Sequence, residues 1–341
     1  MAEINLARAR NQKRRDRGDA TPGTVTLFYA GIQSKAVTDG GPDFLVPGAS
    51  RSGTTTLYHL LSAHEGLFLP DRKELHFFDR ATNYERGLGD YESRFAPAGE
   101  RPAGEVTPSY FPRGVVYRNG DHDSYEWRPD DDAPARIRRA YPDVKLVVTL
   151  RNPVTRAHSQ FRKNYRQGRE RADSFAEAVR EELAGERPKE TNPRCWVYRN
   201  RYPVHVGRWL DLFDRDQVRF LVFERWTDRP ERALDEVCEF LGVEPRGAWP
   251  ETDRKRNAGG TPRVVAGNRL YQDYLAHTAV ARVLRRFRVP HVADALNSSP
   301  GYPDLSDEAR ELLAAEFGPE IDELESMIDR DLDPWRERLR G

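Results

Sequence analysis

The sequence predicts an α/β fold of three layers, α/β/α, around a central, mainly parallel sheet. Val144 to Leu150 (VKLVVTL) and Val218 to Phe223 (VRFLVF) are apolar runs of the length expected for parallel strands covered on both faces. Helical stretches alternate with the strand candidates, which calls for right-handed crossovers. A further strand candidate, Phe44-Leu45-Val46-Pro47, runs through a Gly-rich turn straight into a helix.

In chain order, residues 1 to about 20 carry many Arg and Lys and few large apolar groups, as in a short helix or a frayed, solvated arm. The loop Thr38-Asp39-Gly40-Gly41-Pro42 precedes the Phe44 strand, and Leu57, Leu60 and Leu61 then recur at helical spacing. Gly104-Glu105-Val106-Thr107 is the next strand candidate. Helices are expected over Ala133 to Tyr141, Val154 to Tyr165, Phe175 to Leu183, Val204 to Phe213 and Pro230 to Leu241. Ser306 to Leu324 starts on a Ser-Asp-Glu cap signal and reads as a helical pair broken near Gly318-Pro319. The simplest partition is a basic arm and lead-in over 1–40 and one domain with loop insertions over 41–341.

Composition limits the partners. Hydrophobic residues make up 38% of the 341 and charged ones 32%, with 15 Phe, 14 Tyr and 6 Trp, enough for a core beneath a charged surface. The 55 basic and 55 acidic residues cancel, so there is no global electrostatic case for a nucleic-acid partner. Anion recognition has to be local. Only seven of the 55 basic residues are Lys, and the Arg fork suits phosphate, sulfate and carboxylate, although a compositional bias of the genome accounts for the surplus more simply. Cys195 and Cys238 make no disulfide framework, and no Cys/His cluster has zinc spacing, so no metal is expected. The absence of a run of about 18 apolar residues and of an apolar N-terminal signal leads to the expectation of a cytoplasmic protein with no integral membrane segment.

Gly48-x4-Gly53, after a strand and before a helix, is the arrangement in which backbone N–H groups and the positive end of the helix dipole cradle a phosphate. That makes the fold P-loop-like. A nucleotide triphosphatase would follow the second Gly with Lys and then Ser or Thr. Here Thr54 occupies the Lys position, and Arg51 supplies a cation two residues before the Gly.

Pro-Gly-Ala-Ser-Arg-Ser-Gly-Thr-Thr-Thr resembles the 5′-phosphosulfate loop of sulfotransferases that use 3′-phosphoadenosine 5′-phosphosulfate (PAPS). The resemblance implies that Arg51 touches the bridging and terminal oxygens and that Ser52, Gly53, Thr54 and Thr55 contribute loop donors. About 100 residues later, a strand ends in Arg151-Asn152-Pro153, with Ser159 eight residues after Arg151. In the family this Arg and this Ser bind the 3′-phosphate. Physically, the Arg sits at the C-terminal sheet edge and the Ser two helical turns on, facing one pocket. Arg156, His158 and Arg162 around Ser159 read as a solvated face or auxiliary contacts.

Lys73-Glu74-Leu75-His76-Phe77-Phe78-Asp79 is similar to the Glu-x-His-Phe-Phe-Asp segment of the carbohydrate-directed branch, typified by heparan sulfate sulfotransferases and their bacterial relatives. There the Glu is the general base, which makes Glu74 the candidate base here, with His76 and Asp79 as its polar support. An acceptor hydroxyl has too high a pKa to attack sulfur unless a placed carboxylate takes its proton. The resemblance continues through Glu105-Val106-Thr107-Pro108-Ser109-Tyr110, Tyr202 to Leu212 and Asp331 to Trp335, and places Arg263 in a basic loop over the nucleotide. Val106 departs from the Lys that heparan-type enzymes often carry, and the late paired cysteines of Golgi members are absent, as in a prokaryotic-style soluble member.

The expected reaction is therefore sulfuryl transfer from PAPS to a hydroxyl or amine of a small-molecule or glycan acceptor, releasing adenosine 3′,5′-bisphosphate, with no metal. Catalysis is assigned to Glu74, Arg51 and His76. Two other readings are a P-loop phosphotransferase, opposed by the missing loop Lys, and a non-catalytic nucleotide-binding protein on the same fold. Asn83 to Phe95, Phe111 to Pro134 and Gly168 to Tyr202 are the expected acceptor-facing segments, and Asp130-Asp131-Asp132 argues against a highly sulfated polymer.

Overall fold

The computed structural model describes residues 40–118, 125–187, 195–250 and 305–340, with the backbone of 261–262 and 298–299. The basic arm and Arg263 lie outside the described residues. In chain order the strands used below are β1 (Phe44–Gly48), β2 (Gly104–Val106), β3 (Val115–Tyr117), β4 (Tyr125–Trp127), β5 (Lys145–Leu150) and β6 (Val218–Val222). The helices used below are α1 (Thr54–Ser62), α2 (Ala133–Ala140), α3 (Pro153–Arg166), α4 (Phe175–Leu183), α5 (Tyr202–Leu210), α6 (Pro230–Leu241), α7 (Asp307–Ile328) and α8 (Asp333–Arg340).

The main sheet is parallel, in the order β2-β1-β5-β6, and β3 and β4 form a separate antiparallel pair. Alternate side chains divide between two cores. Leu45, Leu146, Val148, Phe220 and Val222 face Ile137 of α2, Val206 and Trp209 of α5, and Ile321 and Leu324 of α7. Phe44, Val46, Val147 and Leu221 face Leu57 and Leu61 of α1 and Leu234, Val237 and Leu241 of α6. This is the expected three-layer α/β/α arrangement. Burying each such side chain contributes about 1.5–3 kcal/mol, which is what holds helices to both faces.

The chain leaves β1 for β2 on one side and returns past β1 to β5 on the other. The order therefore reverses between β1 and β5, and the loops after those two strands open into one crevice.

Helix starts follow the side chains. Asn152 accepts the Thr155 N–H at 3.1 Å ahead of Pro153, Ser174 accepts the Glu177 N–H at 3.1 Å, and Ser306 accepts the Ala309 N–H at 3.3 Å. The expected Val204 to Phe213 helix starts two residues earlier, at Tyr202, and ends at Leu210.

The expected break near Gly318-Pro319 is absent, because α7 runs unbroken through Pro319. Leu313, Phe317, Ile321, Leu324 and Ile328 form one buried stripe on both sides of the proline, whose own position is exposed. Packing of that stripe outweighs the loss of about 3 kcal/mol that an interior proline brings, and the hydrogen bond forgone is on the solvent side.

The acidic run has internal partners. Asp131 receives Arg136 at 2.8 Å and Arg139 at 3.3 Å. Asp132 is fully buried, caps α2 through the Ala135 N–H at 3.1 Å, accepts the Gly114 N–H at 3.0 Å beside β3, and pairs with Arg208 of α5 at 3.1 Å. Removing it takes the acceptor from the Gly114 and Ala135 N–H groups and the ion-pair partner from the half-buried Arg208, which keeps only the Pro129 carbonyl at 2.8 Å. Asp132→Ala should therefore lower unfolding free energy by about 3 kcal/mol or more in urea denaturation at unchanged m. A change below about 0.5 kcal/mol would show that the carboxylate does not anchor the hairpin to the helices.

Candidate active site

The loop after β1 is fixed from below by β5 and Trp226. Thr149 of β5 accepts the Ala49 N–H at 2.7 Å through its carbonyl, and its hydroxyl donates to the Ser52 carbonyl at 2.9 Å. The same hydroxyl accepts the Trp226 indole N–H at 2.9 Å. Gly53 then turns the chain into α1 at φ 83°, where a Cβ would stand 2.3 Å from the Trp226 ring, so no other residue fits. As N-cap, Gly53 offers no side chain to the first-turn N–H groups of α1. The Ser52 hydroxyl oxygen is buried without a partner. Uncapped amides at a helix N-terminus and an orphaned buried hydroxyl are the donor set of an anion site.

The two predicted anion motifs meet. Arg51 Nε donates to Ser159 Oγ at 3.0 Å, and Arg151 Nη1 donates to the Arg51 carbonyl at 3.2 Å. Arg151 also donates to Thr155 Oγ1 at 3.1 Å and lies over the Phe223 ring at 4.9 Å. Arg156 and His158 are buried and are not a solvated face. Arg156 ties the loop to the segment before α5, donating to the carbonyls of Ser50 and Arg199 and to Asn200 Oδ1, each at 2.7 Å. His158 packs against Phe175, with ring centroids 5.3 Å apart.

Facing the loop across a cleft is the Lys73-to-Asp79 segment. Glu74 and His76 line the cleft together with Arg51, Thr54 and Thr55. Lys73 Nζ is 2.5 Å from Glu74 Oε1, and His76 Nε2 is 3.6 Å from Glu74 Oε2. The other imidazole nitrogen, Nδ1, is 3.0 Å from Asp79 Oδ2 and 3.1 Å from Ser109 Oγ. Both polar partners thus share one ring nitrogen, so Ser109, His76 and Asp79 do not form a hydrolytic triad, which needs nucleophile and orienting acid on opposite nitrogens. Nε2 is left for Glu74.

Partial burial raises the Glu74 pKa, but the His76 imidazole and the Lys73 ammonium outweigh it and hold the carboxyl at about 2. Burial works against a charged His76, yet Asp79 and Glu74 together raise its pKa above the ordinary value. With His76 protonated, Glu74 is a carboxylate between two cations.

Ser52, Gly53, Arg151 and Ser159 lie outside the cleft lining, the first two in the loop floor, Arg151 at the end of β5 and Ser159 on α3. The cleft wall adds Lys163 of α3, which sequence reasoning missed, and takes Arg169 and Arg199 from the expected acceptor-facing segment Gly168 to Tyr202. Lys163 stands one helical turn after Ser159, so the helical period extended from that motif would have found it. Its ammonium has no hydrogen-bond or ion-pair partner among the described residues, and burial followed by the Arg51 charge lowers its pKa to about 8. Among the described residues no helix is long and apolar enough to cross a membrane.

Residues 41–254 match the family model described as Sulfotransferase domain. Over 209 residues the chain is 33% identical to human heparan sulfate glucosamine 3-O-sulfotransferase 6, covering 59% of this chain and 52% of that protein. Over 217 residues it is 28% identical to mouse bifunctional heparan sulfate N-deacetylase/N-sulfotransferase 4, covering 62% of this chain and 23% of that one. The chain therefore spans about half the length, or less, of these curated relatives. The crystal structure of a sulfotransferase from Alicyclobacillus acidocaldarius aligns over 86% of this chain and 98% of its own, at 27% identity and a TM-score of 0.59. The family match takes in more than half of the chain, including the loop after β1, the Glu74 segment and the end of β5, and so this chain belongs to the sulfotransferase family.

Proposed function

We propose that the chain is a PAPS-dependent sulfotransferase of the carbohydrate-directed branch, moving a sulfuryl group to an acceptor hydroxyl with Glu74 as general base. The observation that carries this reading is the single cleft in which the Glu74 carboxylate faces the Arg51 loop at the N-terminus of α1. The donor, when bound, supplies the sulfuryl group activated as a mixed anhydride with the 5′-phosphate. The orphaned Ser52 hydroxyl, the uncapped amides of α1 and Arg51 fit that anionic end, and Arg151 with Ser159 fits the 3′-phosphate.

Glu74 takes the acceptor proton as the hydroxyl oxygen closes on sulfur, and His76 keeps its carboxylate turned into the cleft. Arg51 and the loop amides stabilise the charge that grows on the phosphate oxygen. Lys163, Arg169 and Arg199 give the cleft wall a positive surface, which favours an acceptor carrying its own anionic group. Val106 is buried in the core beneath α1, so the departure at that position leaves these three cations in place. Asp130, Asp131 and Asp132 do not line the cleft and weigh nothing against such an acceptor.

Turnover with PAPS should be measured on an N-sulfated heparosan hexasaccharide, with neutral maltohexaose as control. We expect faster transfer to the charged sugar, and a loss of about 100-fold or more in Glu74→Gln with adenosine 3′,5′-bisphosphate binding kept. Near-normal turnover of the Gln variant removes Glu74 as base, and preference for maltohexaose removes the cationic wall as acceptor determinant.

The pH dependence comes from the pair. Glu74, held at about 2, stays ionised throughout the working range. His76 loses its proton as pH rises through its raised pKa, which takes a positive charge from beside Glu74 and makes the carboxylate a stronger base. The turnover rate should therefore rise through that pKa, above about 6.5, and His76→Gln should abolish the rise. An unchanged limb in the variant assigns the titration to another group.

A further inference from the structure

Behind the Glu74 segment lies a carboxylate that the proposed reaction does not use. Glu105, in the middle of β2, is 2% exposed. Its Oε1 accepts the hydroxyls of Tyr91 at 2.7 Å and Tyr110 at 2.9 Å. Its Oε2 accepts the Thr107 hydroxyl at 2.7 Å and, more weakly, the Leu75 N–H at 3.4 Å. Four donors converge on it, and no Arg, Lys or His lies within ion-pair distance among the described residues. Burying such a group is costly, and only donors held in this geometry offset that cost.

Two of its partners, Leu75 and Tyr110, lead to the segment carrying the base. The Tyr110 oxygen that donates to Glu105 accepts the Phe77 N–H at 2.8 Å, and the Glu74 N–H donates to the Val106 carbonyl at 3.2 Å. Residues 74, 75 and 77 are thereby gripped from one side by β2 and by the short turn over Pro108–Tyr110. Between those grips the backbone is unfavourable. Glu74 and His76 sit at φ 65° and 55°, the left-handed region, which costs a non-glycine residue roughly 1–2 kcal/mol. This alternation sends Glu74 and His76 into the cleft, while Leu75 packs against the core.

We propose that Glu105 is a positioning residue for the base: through the Leu75 N–H and the Tyr110 hydroxyl it holds Glu74 and His76 in left-handed backbone, facing the cleft. The inference rests on the reading of Glu74 as base for its catalytic meaning, but the placement of His76 tests it independently. Gln cannot replace Glu105 here. Its single carbonyl oxygen serves one side of the network only, and its amide hydrogens then meet either the Leu75 N–H or a Tyr110 oxygen that already accepts from Phe77.

The test is the titration of His76 followed by NMR in the full chain, compared among wild type, Glu105→Gln and Tyr110→Phe, the last removing only the relay hydroxyl. His76 is faced by Glu74, Asp79, Arg80 and Ser109, and its pKa lies above the ordinary value only while the segment is in place. In folded protein the wild-type midpoint should lie above about 6.5 and move toward it in both variants. Turnover should fall about 10-fold or more, with adenosine 3′,5′-bisphosphate affinity within about two-fold of wild type and no further loss when Glu105→Gln is added to Glu74→Gln. An unchanged His76 titration in folded variants overturns the proposal, whatever happens to thermal stability. If Glu105→Gln does not fold, Tyr110→Phe decides by the same readout. A displaced titration with normal turnover of Glu74→Gln instead keeps the positioning role and rejects Glu74 as the base.

Discussion

A buried chain of hydrogen bonds, from the Trp226 indole through the Thr149 hydroxyl to the Ser52 carbonyl, is the constraint on which the geometry of the site rests. It fixes the loop after β1 to the neighbouring strand and sets the height at which α1 begins. Each link is worth only about 1 kcal/mol net, but breaking one leaves a buried carbonyl or indole unsatisfied at about 1–3 kcal/mol. Trp226 also fills the space over Gly53, so one side chain sets both the hydrogen bond and the turn. With the loop held there, Arg51 reaches Ser159 on α3 and its carbonyl meets Arg151 at the end of β5. Motifs about 100 residues apart become one cationic surface because the strand order reverses between β1 and β5.

Strain and charge are concentrated at the same place. Of the non-glycine residues with positive φ among the described residues, Arg51, Glu74 and His76 belong to the site, and only Asp329, which ends α7, lies elsewhere. Backbone in this state persists where surrounding contacts over-determine it. Here those contacts are the Ser159 hydrogen bond for Arg51 and the Glu105–Tyr110 network for the base segment. The neutrality of the whole chain, 55 basic against 55 acidic, conceals a cleft in which Arg51, Lys163, Arg169 and Arg199 face a single ionised carboxylate, Glu74.

The parts of this arrangement legible in the sequence were those whose chemistry sits in contiguous residues. The Gly48–Gly53 turn, the strand ending in Arg151 and the Glu74-to-Asp79 segment each announce their role within a few positions. The sheet was legible because strands buried on both faces read as unbroken apolar runs. The features that stayed hidden depend on tertiary partners. Lys163 looks like any solvated basic residue until α3 and the segments carrying Arg169 and Arg199 close on one cleft. Asp131 and Asp132 looked like an exposed acidic patch because Arg136, Arg139 and Arg208 are brought to them only by folding. Pro319 looked like a helix end because local propensity carries no record of the apolar stripe that α7 buries on both sides of it.

On this reading the loop after β1 and the end of β5 together form a site for a nucleotide bearing a 3′-phosphate, and everything proposed for the cleft depends on it. The decisive measurement is calorimetric titration with adenosine 3′,5′-bisphosphate, run beside ATP with magnesium. Saturable binding of the bisphosphate is expected, weakening about ten-fold or more when Arg151 is replaced by Ala, consistent with loss of a charge-assisted phosphate contact, together with weaker binding of ATP with or without the metal. Tight, magnesium-dependent binding of ATP with no affinity for the bisphosphate would refute the assignment.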